Sequence, residues 1–343
     1  MEWTKIETYQ EGGYAIYRVP SIICTEKGTL IICYECRYGG DWSAMDLVIR
    51  RSFDGGKNWT DRRIIAPGKG IDVVHNGILF ADQDKVHLIW HRNYREAFYM
   101  YSLDEGENWS EPRNISKAYT DLRSQYNWTV IAAGPGHGLV TSKGRMMIPL
   151  WVSANPGNIT SHHPSVVTIL YSDDHGENWQ CGEIIWNAPD FIDPNESVLA
   201  ELSDGSIMIN CRHETGKNVR KVGFSPDGIS GWHDFYFDEQ LIDPICCAGM
   251  TQGDGHIWFS NCACKREEGR IHLSIHQSDD DGKTWPYRLE VAALGGYSDI
   301  FYSQKDRKLY MIAETGRSTE ETFSFGLSVG SVEAAKVYEF GAQ

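Results

Sequence analysis

The sequence predicts an all-β chain folded as a six-bladed β-propeller with four-stranded antiparallel blades, and three observations carry that expectation. The first is a repeated turn, Ser-x-Asp-x-Gly-x-x-Trp, present as Ser52-Asp54-Gly56-Trp59, Ser102-Asp104-Gly106-Trp109, Ser172-Asp174-Gly176-Trp179 and Ser278-Asp280-Gly282-Trp285. A fifth copy, Ser225-Asp227-Gly228-Trp232, has its glycine displaced by one position. The second is spacing: consecutive serines stand 50, 70, 53 and 53 residues apart, the length of a four-stranded sheet with its turns. The third is the alternation of short apolar, β-branched runs with Gly, Asp and Asn turns along nearly the whole chain.

Each part of the repeat has a local reason to exist. Ser and Asp oxygens accept hydrogen bonds from the turn's own backbone, and Gly supplies the positive φ of a tight turn between strands. The Trp is an apolar plug whose indole N–H can reach a carbonyl. These turns read as structural, with no catalytic role. Strands are expected over Thr29–Tyr34, Leu47–Arg50, Val86–Trp90, Arg145–Trp151, Val166–Tyr171, Ser206–Cys211, Ile271–His276 and Lys308–Ala313. No stretch holds a helical period over three turns, and Ser331–Lys336 has room for one turn at most. At roughly 50–57 residues per blade, 343 residues make about six, five marked by the repeat and one unmarked. Residues 1–343 are therefore expected to form one propeller domain.

Composition narrows the partners. A net charge of −15 argues against a nucleic-acid or anionic-membrane surface, which needs clustered Lys and Arg. It leaves room for an anionic small molecule, because a pocket can be positive on an acidic protein. Met1-Glu2-Trp3-Thr4-Lys5 opens without an apolar leader and no run is long enough to span a membrane, so a cytoplasmic protein is expected. The nine cysteines (24, 33, 36, 181, 211, 246, 247, 262 and 264) read as small buried hydrophobes rather than a metal site. Gly134-Pro135-Gly136-His137-Gly138 lacks the strand, helix and Lys-Ser/Thr of a phosphate loop.

The chemistry must come from between the turns, since propellers also serve without catalysis. Tyr17-Arg18-Val19-Pro20-Ser21 resembles the Tyr/Phe-Arg-Ile/Val-Pro signature of the sialidases. Other segments agree with that family in order and spacing. They are Glu35-Cys36-Arg37 with Gly39-Gly40-Asp41, the Gly134–Gly138 stretch, Asn195-Glu196-Ser197 leading to Arg212, Phe259-Ser260-Asn261 leading to Arg270, and Gly296-Tyr297-Ser298-Asp299 followed by Glu314. Over nearly its whole length the chain is similar to a bacterial-type exo-α-sialidase. It departs where sialidases usually carry Asn-Pro after the first repeat, having His75-Asn76-Gly77-Ile78.

The resemblance implies a site whose physical logic can be stated. Sialic acids carry a carboxylate on the carbon where the bond breaks, and planar guanidinium forks suit a planar carboxylate as Lys does not. That role falls to Arg18, Arg212 and Arg270, with Arg266 the alternative to Arg270. A carboxylate nucleophile would face the substrate's own carboxylate at ~4 Å, a repulsion of about 4 kcal/mol at an effective dielectric near 20, worth nearly three powers of ten in rate. A neutral tyrosine avoids this but needs a base for its proton. The resemblance assigns Tyr297 as nucleophile and Glu196 as base, with Glu201 the rival, in keeping with sialidases as exceptions to the two-carboxylate rule. Asp41 is the acid/base residue, with Asp46 its competitor. Arg37 lines the same pocket, and Glu35 and Glu314 pair with the arginines from behind. Trp42, Tyr126, Trp128, His162 and His163 either line the rest of the pocket or pack the blades.

The expected activity is removal of terminal α-linked sialic acid with retention through a tyrosyl intermediate, on a sialylated oligosaccharide or glycoconjugate, with no metal or other cofactor. The same centre also suits intramolecular or acceptor transfer and related keto-sugar acids (Kdn, Kdo). A non-catalytic glycan-binding propeller is the reading from another class.

Overall fold

The computed structural model describes residues 1–318 and 323–341. Six small antiparallel sheets form a ring, each a blade. The first is built from Ile16–Cys24, Leu30–Arg37, Met45–Ser52 and Arg63–Ala66, and the second from Val74–Asp82, Lys85–Arg92, Glu96–Ser102 and Arg113–Asn114. The third uses Val130–Ala133, Met146–Ser153, Ser165–Ser172 and Gln180–Cys181, with the two-residue strand Leu139–Val140 added. The fourth runs Ser197–Glu201, Ile207–Cys211, Val219–Ser225 and His233–Ile242. The fifth runs Gly249–Gly253, His256–Cys262, Ile271–Ser278 and Tyr287–Leu294. The sixth joins Ser298–Ser303, Lys308–Ser318 and Phe323–Glu333 to Glu2–Glu7 from the start of the chain, which closes the ring.

That closure explains why only five blades carry the repeat. In every marked blade the motif makes the turn from third to fourth strand, as Ser52 ends Met45–Ser52. In the sixth blade the fourth strand arrives from the other end of the chain, so that turn does not exist. In the first repeat, Gly56 N–H donates to Ser52 Oγ at 2.9 Å, Asn58 N–H to Asp54 Oδ1 at 2.9 Å, and the Trp59 indole to Gly56 O at 3.0 Å. The copies at Ser102 and Ser172 repeat this pattern, while at Ser278 the Trp285 indole turns to Asp238 Oδ2 at 3.0 Å. The displaced glycine of the worn copy, Gly228, still reaches Ser225 Oγ at 2.8 Å, with φ near +75°.

The core is not one body but six seams, one between each pair of neighbouring blades. Ile78, Phe80 and Ile89 of the second blade pack on Ile131, Ile148 and Leu150 of the third, and Tyr17, Ile22 and Ile32 of the first on Tyr310 and Ile312 of the sixth. Each repeat's Trp plugs the seam with the preceding blade: Trp59, Trp109, Trp179, Trp232 and Trp285 each sit against a different one. Fully burying one large aliphatic or aromatic side chain contributes roughly 1.5–3 kcal/mol. All nine cysteines are free thiols and eight are buried, six in these seams and Cys246 and Cys247 in a small cluster with Val19 and Tyr297.

The expected strands are present, mostly extended by one to five residues. One expectation needs correction: Ser331–Glu333 is not a helical turn. These residues pair with Lys308–Tyr310 as strand, and the helix begins at Ala335 and runs to Gly341. A second short helix, Lys117–Asp121, lies in the long 70-residue interval. Among the described residues no helix is long and apolar enough to cross a membrane.

Five buried histidines, His75, His87, His91, His213 and His276, give the fold a pH limit. Burial pushes all five down, His87 and His213 to about 4, His91 and His276 to about 3, and His75 well below its ordinary value. Unfolded, each binds a proton near pH 6.5. Below that value the unfolded chain takes up protons that the folded one refuses, so stability falls by on the order of 1.4 kcal/mol per pH unit per histidine until the folded values are reached. The urea midpoint is therefore expected to be flat above pH 7 and to drop steeply between pH 6.5 and 4. A midpoint unchanged over that range would show that these imidazoles protonate freely in the folded state.

Candidate active site

The repeat turns occupy one end of the ring, and the chemistry-bearing residues gather at the other. There the turns between second and third strands, and the entries to first strands, converge on a cavity of about 230 Å³. Arg18, Arg37, Arg212 and Arg270 line it against two carboxylates, Asp41 and Glu196, with the Tyr297 ring between them. The cavity wall is thus positive on a protein of net charge −15, an arrangement suited to an anionic ligand.

Arg18 owes its position to a broken ladder. Pro20 has no N–H to give, and the first strand bulges between Arg18 and Ser21 with Val19 at φ +54°. A β-branched residue in that region is strained. The sixth blade over-determines it: Val19 N–H donates to Glu314 Oε1 at 3.1 Å and Ile22 N–H to Asp299 Oδ2 at 2.9 Å. Glu314, fully buried, also accepts from Arg18 Nε at 3.0 Å, Arg18 Nη2 at 3.3 Å and Tyr297 N–H at 3.1 Å. One carboxylate therefore fixes both a guanidinium and the tyrosine backbone.

Arg37 is held in the same way. Glu35 accepts from Arg37 Nε at 2.6 Å and from the Asn76 backbone at 2.7 Å, and Arg37 Nη1 pairs with Asp41 Oδ1. Arg18 Nη1 lies 3.8 Å from the same Asp41 oxygen. Burial raises the Asp41 carboxyl, but the Arg37 and Arg18 guanidiniums outweigh it and hold it at about 2.

Around Tyr297, Arg18 and Arg270 stack on the ring at 4.7 and 5.1 Å, and Arg212 Nη1 donates to the hydroxyl at 3.1 Å. That hydroxyl donates to Glu196 Oε1 at 2.6 Å, while the other Glu196 oxygen pairs with Arg212. Burial and the Glu196 charge raise the phenol well above its ordinary value, against the lowering pull of three arginines. The resting tyrosine is a neutral phenol whose proton already points at a carboxylate.

The open alternatives now have positions. Arg270 directly precedes Ile271–Ser278 and lines the cavity; Arg266 is 65% exposed at the rim, near Glu214. Asp46 holds Tyr14 Oη at 2.6 Å and Gly68 N–H at 2.7 Å away from the cavity. Glu201 binds Ser142 at the repeat end. His162 and His163 line the cavity, and Trp42 backs it through Tyr94 and His162. Tyr126 and Trp128 do not: Trp128 is buried in the seam of the second and third blades, with Tyr126 packed against it. Asn76, Tyr94, Trp151 and Asn195 also line the cavity and were given no role from sequence. Asn195 had the one usable signal, adjacency to Glu196. The Gly134–Gly138 loop serves packing, placing His137 2.8 Å from Asp299.

Known proteins share this repeat and this fold. A family model described as a BNR repeat-like domain matches residues 28–310. The chain is 26% identical over 352 residues to a sialidase of Paraclostridium sordellii, covering 89% of this chain and 82% of that one. It is 27% identical to a sialidase of Micromonospora viridifaciens, covering 80% of this chain and 46% of that protein, so it spans about half the length of some relatives. Among solved structures, the Hadza microbial sialidase Hz136 superposes with a TM-score of 0.80 at 20% identity, over 98% of this chain and 69% of that one. The intramolecular trans-sialidase from Ruminococcus gnavus superposes at 0.78 and 16% identity, over 97% and 98%. The chain belongs to the BNR repeat-like domain family and, within it, to the bacterial-type sialidases, a family of glycoside hydrolases.

Proposed function

We propose that the protein is an exo-α-sialidase that releases terminal α-linked sialic acid from glycans with net retention. The observation that carries this reading is the convergence on Tyr297: a hydroxyl 2.6 Å from Glu196, beside three arginines from three different blades. The sugar carboxylate sits on Arg18, Arg212 and Arg270. Tyr297 Oη attacks C2 as Glu196 takes its proton; the C2–O bond to the leaving glycan breaks and Asp41 protonates that oxygen. Water then attacks C2, Asp41 accepts its proton, and the departing phenolate recovers its own from Glu196. Two inversions leave the α-configuration.

An acid must carry a proton, yet Asp41 is held at about 2 in the free protein. The substrate supplies the correction. Its carboxylate places negative charge on Arg18, one of the two guanidiniums that hold Asp41 down, which weakens that hold and raises Asp41 in the complex. Turnover of a natural glycan is then expected to fall as pH rises through that raised value, because the protonated form reacts. Asp41→Ala should lower kcat/KM on sialyllactose at least about a hundredfold and remove that limb of the profile. The loss should be smaller on an aryl sialoside, whose phenol leaves with less help. Near-wild-type rates on sialyllactose would take the acid role from Asp41.

The reading itself is tested by fluorescence release from an aryl sialoside, followed by NMR at early times. Free α-sialic acid appearing first supports it, and the β-anomer first removes retention. An anhydro-sugar would instead place the chain with intramolecular transfer. Saturable binding without turnover would leave a glycan-binding propeller.

A further inference from the structure

We infer that Trp42 is the platform on which the first sugar of the leaving group rests, a subsite outside the cavity that selects the aglycone. The inference rests on the sialidase reading above and goes beyond it to what lies on the far side of the scissile bond. A cavity of about 230 Å³ is below the ~300–1,000 Å³ of sites for drug-sized ligands and has room for one sugar ring, not two. The leaving sugar must therefore lie outside. Its exit is marked by exposure: the Asp41 side chain is 48% exposed, whereas those of Arg18, Arg37, Arg212 and Glu196 are exposed by 7, 4, 17 and 13%. The oxygen that Asp41 protonates thus sits at the mouth.

Trp42 is the next residue, and it is 40% exposed although indoles are costly to leave in water. It is not loose. Its ring lies 4.4 Å from Tyr94 and 5.8 Å from His162, both cavity-lining residues. One side is therefore backed by aromatic rings of the cavity wall, and the rest is open to solvent. The C–H face of a pyranose is apolar and flat, and a pre-set indole receives it with little loss of side-chain freedom. Tyr38 is a natural control. It is 50% exposed on the same hairpin, but it leans on Tyr14, on the flank away from Tyr94 and His162.

The test compares two substrates that share the sugar acid and differ in the leaving group: 3′-sialyllactose and α-sialosyl fluoride, whose leaving group has no ring. Trp42→Ala should lower kcat/KM on sialyllactose at least tenfold and leave the fluoride within about threefold. Trp42→Phe should retain most of the sialyllactose rate, and Tyr38→Ala should change neither. An equal fall on both substrates in Trp42→Ala would mean that the ring only shapes the Asp41 loop, and no fall on either would mean that it touches nothing. Both results overturn the inference. A wild-type protein that turned over neither substrate would remove the sialidase reading, and the inference with it.

Discussion

Replacing Tyr297 by Phe should lower kcat on an aryl sialoside by at least about a hundredfold while leaving stability and affinity for the free sugar acid close to wild type. The substitution deletes one oxygen. The ring stays where Arg18 and Arg270 stack on it at 4.7 and 5.1 Å, and the backbone N–H still reaches Glu314. What goes is the hydroxyl that donates to Glu196 and accepts from Arg212. Because burial and Glu196 hold the phenol in its neutral form, no ready phenolate binds the substrate; the nucleophile exists only as its proton leaves for Glu196. A phenyl ring offers no such route, and residual turnover must come from water and electrostatic stabilisation by the arginines. Rates within a few-fold of wild type would mean that attack comes from elsewhere. Loss of binding along with rate would instead make the hydroxyl part of carboxylate recognition.

Much of this centre is legible in the sequence because its members lie in short contiguous motifs whose local geometry is self-contained. Arg18 stands in the Tyr17–Ser21 signature, and the structure shows what that signature does: the strand is interrupted there, with the Val19 amide diverted to Glu314. Glu35 and Arg37 lie just past the strand expected over Thr29–Tyr34; the strand runs on to Arg37, so alternation puts both on one side, where they pair. The opposite wall was not legible. Asn76 and Trp151 reach the cavity from strands of the second and third blades and Tyr94 from a turn of the second, and Asn76 and Tyr94 take positive φ that no local residue demands. Nor could composition separate Arg270 from Arg266. That depended on where a strand begins: Gly269, at φ +88°, ends the short turn carrying Arg266, and the chain enters Ile271–Ser278 with Arg270 facing the tyrosine. The blade count followed from length alone, since ring closure by Glu2–Glu7 erases the sixth repeat.

Glu314→Gln should be the most damaging single-atom change in the molecule, and it tests how far the site is held from behind. Glu314 is fully buried and receives four hydrogen bonds: two from Arg18, one from Val19 N–H and one from Tyr297 N–H. An amide keeps one acceptor oxygen and turns the other position into a donor, which then faces an N–H or a guanidinium. The Arg18 side chain, 7% exposed, loses its buried countercharge. Removing one partner of a buried ion pair costs about 3–5 kcal/mol, because the other charge keeps its desolvation penalty. Arg18 lines the cavity rather than a closed core, so the expected loss lies near the lower end, about 3 kcal/mol, read as a shift in urea midpoint at constant slope. Activity should fall further than stability implies, since the Arg18 fork and the Tyr297 backbone lose a common anchor. The two effects separate at low temperature, where the variant is fully folded. There, kcat/KM on sialyllactose should still be down at least tenfold while the Trp179 and Trp232 seams, between other pairs of blades, keep wild-type fluorescence. Wild-type stability and rate together would show that the bulge at Val19 and the arginine behind the sugar carboxylate are fixed by other contacts.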